Sequence, residues 1–424
     1  MRPIICPRDI QILPWYAGYA EAINAGKSVR NEDQAAFHRG VLRTKDADSR
    51  LQFTGDWEIP YVYFGIFDGH AGSGCAVTAA NELHQVVHKK LMACLNHLVP
   101  KSAEATEVNG TSNGSSLWYS TKEISTESLV IGALESAFWE MDQSIGEDKK
   151  RYKMLGGCTV IISLFILGKL YVANAGDSRA CLCRAGGAAY PMSYDFTPVT
   201  ERARLQQLGY QKPHLMGAEY THLDFHGRKP SRDDVGKRAL YRDAHMTGWA
   251  YKDITVEDLR FPLVYGEGKR SRLLATIGVT RGFGDHDLKA QSNSANPIYI
   301  KPFLTPQPEV RVLDVENEEV TESDVLVIAT DGLWDVVSNE RVAQIVDNGL
   351  RLTQNSEEVR QKYKFISIGK IFIRDIFPEF DEKTRQTVEH KQTFGLKVKI
   401  EIREKSCQNA GNKQTFGLTA NGKK

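Results

Sequence analysis

Three short apolar runs in this chain each end on an aspartate, and nothing else in the sequence constrains the fold as strongly. Tyr61–Phe67 (YVYFGIF) runs into Asp68-Gly69-His70, and Leu170–Ala175 (LYVANA) runs into Gly176-Asp177-Ser178-Arg179. Val325–Thr330 (VLVIAT) runs into Asp331-Gly332, with Asp335 following at the end of the same block. β-Branched and aromatic runs closed by glycine turns read as buried strands. Strands that each deliver a carboxylate at their C-terminal end can gather those carboxylates at one edge of a core. Bare carboxylates repel one another and resist burial, so such a cluster normally holds hard cations. The pattern predicts a metal-dependent enzyme.

Composition sets the bounds. The chain has 424 residues, of which 41% are hydrophobic and 25% charged, ordinary values for a folded protein. A net charge of +1 gives no electrostatic case for nucleic acid or an anionic membrane. The 7 cysteines include no Cys-x-x-Cys pair, which argues against a zinc ribbon or disulfide scaffold and for a reducing compartment. Cys181-x-Cys183 places both thiols on one face of a strand as core filling. No basic-then-apolar segment opens the chain, and the longest apolar stretch, Thr159–Leu167, is too short to cross a bilayer. The expectation is a cytoplasmic protein without a membrane span, with nuclear entry left open.

Along the chain, strands around Asn31–His38 and Tyr61–Phe67 precede a helical stretch at Gly74–Leu98. Lys101–Ser128 is rich in Ser, Thr, Asn and Gly and reads as a flexible surface insertion. A second helix follows at Leu129–Lys149, then strands across Thr159–Ser193, then a helix opened by Thr197-Pro198 and ending at Gly209. Tyr210–Arg270 is polar, aromatic and irregular, with basic clusters, and reads as a solvated excursion or as a substrate-contacting flap. Strands resume at Leu273–Gly278 and Val325–Thr330, and Ser338 caps a helix to about Leu350. This order predicts an α+β fold: a four-layer α/β/β/α sandwich of two mainly antiparallel sheets flanked by helices, with a flap insertion over 210–270.

Five blocks occur in order: Asn31-Glu32-Asp33, Phe67-Asp68-Gly69-His70, Gly176-Asp177-Ser178-Arg179, Thr280-Arg281-Gly282-Phe283-Gly284-Asp285, and Ala329-Thr330-Asp331-Gly332-Leu333-Trp334-Asp335. Together they resemble the metal-dependent type 2C protein serine/threonine phosphatases, over roughly Leu13–Leu350. The resemblance implies a catalytic domain over 1–350, a phosphoprotein substrate and two Mg²⁺ or Mn²⁺ ions, with water rather than an enzyme side chain attacking phosphorus. It implies that Asp68 bridges the two metals, the Gly69 carbonyl binds one, Asp331 binds the other, and Glu32 acts through water. It assigns Asp177 and Asp335 to a further, weaker ion, and His70 to protonation of the departing oxygen. The chemistry agrees: paired divalent ions ~3.5–4 Å apart suit phosphate-ester hydrolysis, and oxygen-only ligands suit Mg²⁺ or Mn²⁺. A histidine near its ordinary pKa suits the acid.

Plainer readings stand beside these. Asp-Gly is a common turn signal, and Asp-Ser-Arg can tie a turn to a helix terminus. Asp285 reads as a turn or ion-pair residue rather than a ligand. His84 and His88, at i, i+4 spacing, read as a structural helix face.

Two departures from the family pattern matter. The usual phosphate-binding arginine position is Ser28, and Arg30, on the same strand face one pleat nearer Glu32, is the candidate substitute. Ala71 also stands where a second glycine often follows the histidine. More seriously, the family's final Gly-x-Asp-Asp or Asp-Asn turn, with its metal ligand and last strand, has no counterpart after Leu350. Residues 351–424 form an atypical tail carrying Lys-Gln-Thr-Phe-Gly-Leu twice, and Asp375 is a poor replacement ligand. Losing one preorganised electrostatic group typically costs ~10²–10³ in rate. The expectation is a phosphatase lacking its last strand and one ligand, or alternatively a catalytically dead phosphatase fold that binds phosphoproteins as a partner or decoy.

Overall fold

The computed structural model describes residues 17–21, 31–47, 55–99, 124–147, 156–292, 296–315, 317–318, 320–321, 323–354 and 397–401. Two sheets lie face to face with helices outside them. The first is six-stranded, built from β2 (Gln34–Arg43), β3 (Glu58–His70), β4 (Gly157–Ile166), β5 (Lys169–Ala175), the short β8 (Phe283–Gly284) and β9 (Glu309–Asp314). Its order is β9-β5-β4-β3-β2, every pair antiparallel, with β8 also on β4. The second sheet holds β1 (Gly18–Glu21), β6 (Arg179–Cys183), β7 (Ala189–Pro191), β10 (Val325–Ala329) and β11 (Lys397–Glu401), in the order β1-β11-β10-β6-β7.

The apolar runs follow from this layering. In β3, Tyr61, Tyr63 and Phe67 point to the helices, while Val62, Phe64 and Ile66 join the core between the sheets. Alternate side chains point to opposite faces, so a strand covered on both sides is apolar throughout. Helix α1 (Gly74–Ala93) packs a stripe of Ala76, Ala79, Leu83, Val87 and Leu91 on the first sheet, beside α2 (Thr126–Glu147) with Leu134, Phe138, Met141 and Ile145. Across the sandwich, α4 (Asn339–Gln354) covers the second sheet with Val342, Ile345, Val346 and Leu350. Cys181 and Cys183 fill that same core. The four-layer α+β sandwich is the one expected.

Several local expectations are corrected. The helix expected from Thr197 begins at Arg202 (α3, Arg202–Gln211). The Thr197 and Thr200 hydroxyls instead hold a turn, with Thr200 Oγ1 donating to the Asp195 carbonyl at 2.8 Å. The strand expected over Leu273–Gly278 stops at Leu273, because Leu274 and Ala275 take left-handed φ values of 48° and 54°. Lys101–Ser128 already contains the start of α2, and residues 101–123 lie outside those described. The tail expected to lack a last strand supplies β11, whose Lys-Val-Lys-Ile-Glu alternation suits a strand and which pairs with β10 from Val325↔Glu401 to Val327↔Lys399. Asp375 lies outside the described residues.

The excursion after α3 is more than a solvated loop. Met216, Tyr220, Leu263, Val264 and Leu273 join Leu205, Ile300, Phe303 and Leu304 in an apolar cluster of their own. No described helix is long and apolar enough to cross a membrane.

Candidate active site

The strand ends converge as their sequences suggest. β3 and β5 flank β4, both antiparallel to it, so their C-terminal ends share one edge of the first sheet. The chain passes from β5 through Gly176-Asp177-Ser178 into β6 of the second sheet, and Ala329 at the end of β10 pairs with Arg179. Gly176 permits this crossing: its φ is 142°, and a Cβ there would meet the Thr159 side chain. The Ser178 hydroxyl shares a 2.9 Å hydrogen bond with that of Thr159. Asp331 opens a single helical turn, Asp331–Trp334. The Trp334 indole fixes it by donating to the carbonyls of Ala329 (3.0 Å) and Arg179 (3.1 Å). Arg179 grips Asp195 through two hydrogen bonds and donates to Asn339, the first residue of α4, so it does tie this turn to a helix terminus.

Asp68, Asp177 and Asp331 act on one another electrostatically. Each keeps some solvent-accessible surface, yet at Asp68 and Asp177 burial dominates. Burial first, then the charges of Asp331 and Asp177, push the Asp68 carboxyl well above its ordinary range. Asp331 also hydrogen-bonds Asp68, and Thr330 partly offsets the shift by donating to it. Burial, then Asp331, Asp195 and Asp335, lifts Asp177 to about 7. Among the described residues, no three His, Cys, Asp or Glu are already set around one point as a metal-ligand group. The crowded carboxylates nevertheless fit a divalent cation: an all-oxygen set, electrostatically unfavourable alone, is what Mg²⁺ or Mn²⁺ relieves.

The other expected residues lie nearby or further out. Gly69 faces the backbone of Glu32 so closely that a Cβ would collide with the Glu32 carbonyl, so only glycine fits there. Asp335 is half-exposed, and Lys269 from the flap-like segment pairs with its carboxylate at 2.9 Å and its carbonyl at 2.6 Å. Arg30 lies outside the described residues. The His84 ring lies tilted against that of His38, centroids 4.7 Å apart, and His88 shares a 2.9 Å hydrogen bond with Tyr61, which makes them part of the α1–sheet seam.

His70, at the end of β3, places Nε2 2.7 Å from Asp285 Oδ2. Burial pulls its pKa down, but the Asp285 hydrogen bond and charge, with Asp177 and Glu32, outweigh it and leave it raised. Asp285 sits at φ 54° on a segment pinned by two buried acids that sequence reasoning missed. Glu201 accepts from Arg281 (2.6 and 3.1 Å), Arg204 (2.7 Å) and Thr280 (2.9 Å). Asp142 accepts from the Gly284 amide (2.8 Å) and Lys301 (2.6 Å), with His286 at 3.2 Å. Asp142 did leave a signal, as a charge on the apolar stripe of α2 one turn beyond Phe138. Glu201 left none.

The family model for Protein phosphatase 2C matches residues 45–217 and 263–365. This chain belongs to the protein phosphatase 2C family. Its class of enzyme is accordingly the metal-dependent protein serine/threonine phosphatases. The interruption of the match falls within the flap-like segment. Among relatives, Protein phosphatase 1H of Xenopus tropicalis is 46% identical over 399 residues, covering 82% of this chain and 77% of that protein. Human Protein phosphatase 1J is 46% identical over 367 residues, covering 82% and 71%. Protein phosphatase 1H of Danio rerio is 43% identical over 404 residues, covering 82% and 77%. Both matched stretches of the protein phosphatase 2C family contribute to the edge described above, 45–217 with Asp68, His70 and Asp177 and 263–365 with Asp285 and Asp331.

Proposed function

We propose that the chain hydrolyses phosphoserine and phosphothreonine in phosphoproteins, using two Mg²⁺ or Mn²⁺ ions. The supporting observation is the crowding of Asp68 with Asp177 and Asp331 at one edge of the sandwich, where burial and mutual charge lift the first two carboxyls. Asp68, Asp331, the Gly69 carbonyl and, through water, Glu32 would hold the two ions, with Asp177 and Asp335 for a further, weaker one. When bound, such ions neutralise the phosphoryl oxygens and acidify water for attack on phosphorus. His70 carries the proton for the departing serine or threonine oxygen. Its raised pKa keeps more of it protonated near neutral pH than an ordinary histidine. Asp285 holds the ring by Nε2, which leaves Nδ1 as the nitrogen to carry that proton. Arg30 is the candidate for orienting the phosphate.

Within this reading, residues 1–350 are the catalytic unit and 210–270 its flap, while 351–424 is a tail that returns one strand, Lys397–Glu401, to the second sheet; the setting is cytoplasmic, with nuclear entry open. The test is Mn²⁺-dependent hydrolysis of p-nitrophenyl phosphate and a phosphothreonine peptide, with Asp68→Asn as control. Activity unchanged by that substitution would sink the assignment.

The absence of a Gly-x-Asp-Asp or Asp-Asn sequence after Leu350 favours a second reading, a phosphatase fold that binds phosphoproteins without turnover. A folded wild-type protein that binds the phosphopeptide but does not hydrolyse it would establish that reading instead.

A further inference from the structure

A cleft of about 390 Å³ opens beside His70, and its lining includes His70 and Asp285 but not Asp68, Asp177 or Asp331. Its apolar walls are Ile145 from α2 and Ile277 and Leu288 from the segment that carries Asp285, and His286 and Asp287 also line it. That volume is at the low end for small-molecule pockets, which run roughly 300–1,000 Å³, and suits one or two side chains. The segment is anchored at two points: Asp142 fixes Gly284 and His286, while Arg281 is fixed by Glu201.

Five described non-glycine residues adopt left-handed φ, and four belong to this cleft or lead into its wall: Ala71, Leu274, Ala275 and Asp285. Strain of this kind persists only where surrounding contacts over-determine it, and it concentrates at functional sites.

We infer that this cleft is a specificity subsite for an apolar side chain flanking the phosphorylated residue of the substrate. The inference rests on the phosphatase reading. In that reading His70 protonates the departing oxygen, so the space beyond its ring receives the polypeptide carried by that oxygen rather than the phosphate. A leucine-sized flank buries its surface on Ile145, Ile277 and Leu288. An acidic flank meets the same apolar walls, which disfavours it.

The test is fluorescence polarisation with the full chain and Mn²⁺, using two peptides built on a non-hydrolysable difluoromethylphosphonate analogue of phosphothreonine. One carries leucine on both flanks and the other aspartate. The leucine peptide is expected to bind about tenfold more tightly, as burial of one partly covered apolar side chain allows. Ile277→Asp abolishes the difference, and the milder Ile277→Ala shrinks it; circular dichroism checks the fold, and the alanine variant decides if the aspartate variant does not fold. Equal affinities in the wild type, no binding of either peptide, or a difference that survives both substitutions would overturn the subsite. Turnover of p-nitrophenyl phosphate, which has no flanking residue, reports separately on the phosphatase reading. Turnover without a flank preference sinks only the subsite, and a flank preference without turnover sinks only the phosphatase.

Discussion

His70 and Asp285 are 215 residues apart in the chain, yet His70 Nε2 lies 2.7 Å from Asp285 Oδ2, and the aspartate is almost completely buried. The imidazole is thus held by the segment that follows the flap, while its own strand carries Asp68 one pleat away. In the proposed mechanism Asp285 acts through His70 and is a positioning residue.

That relationship predicts a substrate-dependent defect. Asp285→Asn should lower kcat for a phosphothreonine peptide by roughly 10²-fold, the lower end of what positioned proton transfer contributes. p-Nitrophenolate leaves without a proton, so p-nitrophenyl phosphate should lose only a few-fold by the same reasoning. Equal losses on both substrates would show that the carboxylate only supports the fold.

The crowded carboxylates predict opposite effects of one substitution with and without metal. Asp68→Asn removes a charge from a site where like charges repel, so the metal-free protein should melt at a higher temperature than wild type. Wild type should gain roughly 2.7 kcal/mol from Mn²⁺ at about 100 times its Kd, and the variant little. Differential scanning fluorimetry with EDTA and with Mn²⁺ measures both; a variant stabilised as much as wild type by Mn²⁺ would remove Asp68 from the ligand set.

Asp142 sets an acid limit on stability. Burial opposes its charge, but His286 and Lys301 prevail and hold its pKa below the ordinary 3.8. A depressed carboxylate stabilises the fold above its unfolded pKa and loses that contribution as pH falls through the folded one. The window therefore lies below about 3.8. Asp142→Ala leaves Lys301 without its partner and should cost about 3–5 kcal/mol in urea at neutral pH. Its stability should then change less than wild type's on acidification.

Ala71 follows His70 at φ 56°, where a side chain is strained and glycine is not. Ala71→Gly should stabilise the protein by about 1 kcal/mol, read as a shift in the urea midpoint with an unchanged slope. A neutral or negative result would mean that the Ala71 methyl has packing value that outweighs the strain.

What could be read from the sequence was whatever a single segment determines. The run Tyr61–Phe67 is apolar because helices cover one face and the other sheet covers the second, and such a strand is recognisable without its neighbours. Its aspartate marks the strand's end for the same reason. The two acid hubs are another matter, since Glu201 and Asp142 owe their roles to Arg281, Thr280, Lys301 and His286, partners 79 to 159 residues away. No local periodicity encodes such pairs. The start of α3 was misplaced because Thr197-Pro198 is a fair helix opening, and only tertiary contacts reveal that the threonines close a turn instead. The break after Leu273 was hidden likewise, because Leu274 and Ala275 have no intrinsic preference for left-handed backbone.

The strand that carries Asp68 and His70 has no free side. Fraying it would uncover the helix-facing core and the inter-sheet core together, so the edge that bears the proposed site has no private route to disorder. Loss of activity on heating and collapse of the whole sandwich should therefore be a single event, and amides in the middle of β3 should exchange with solvent only as slowly as the entire domain opens.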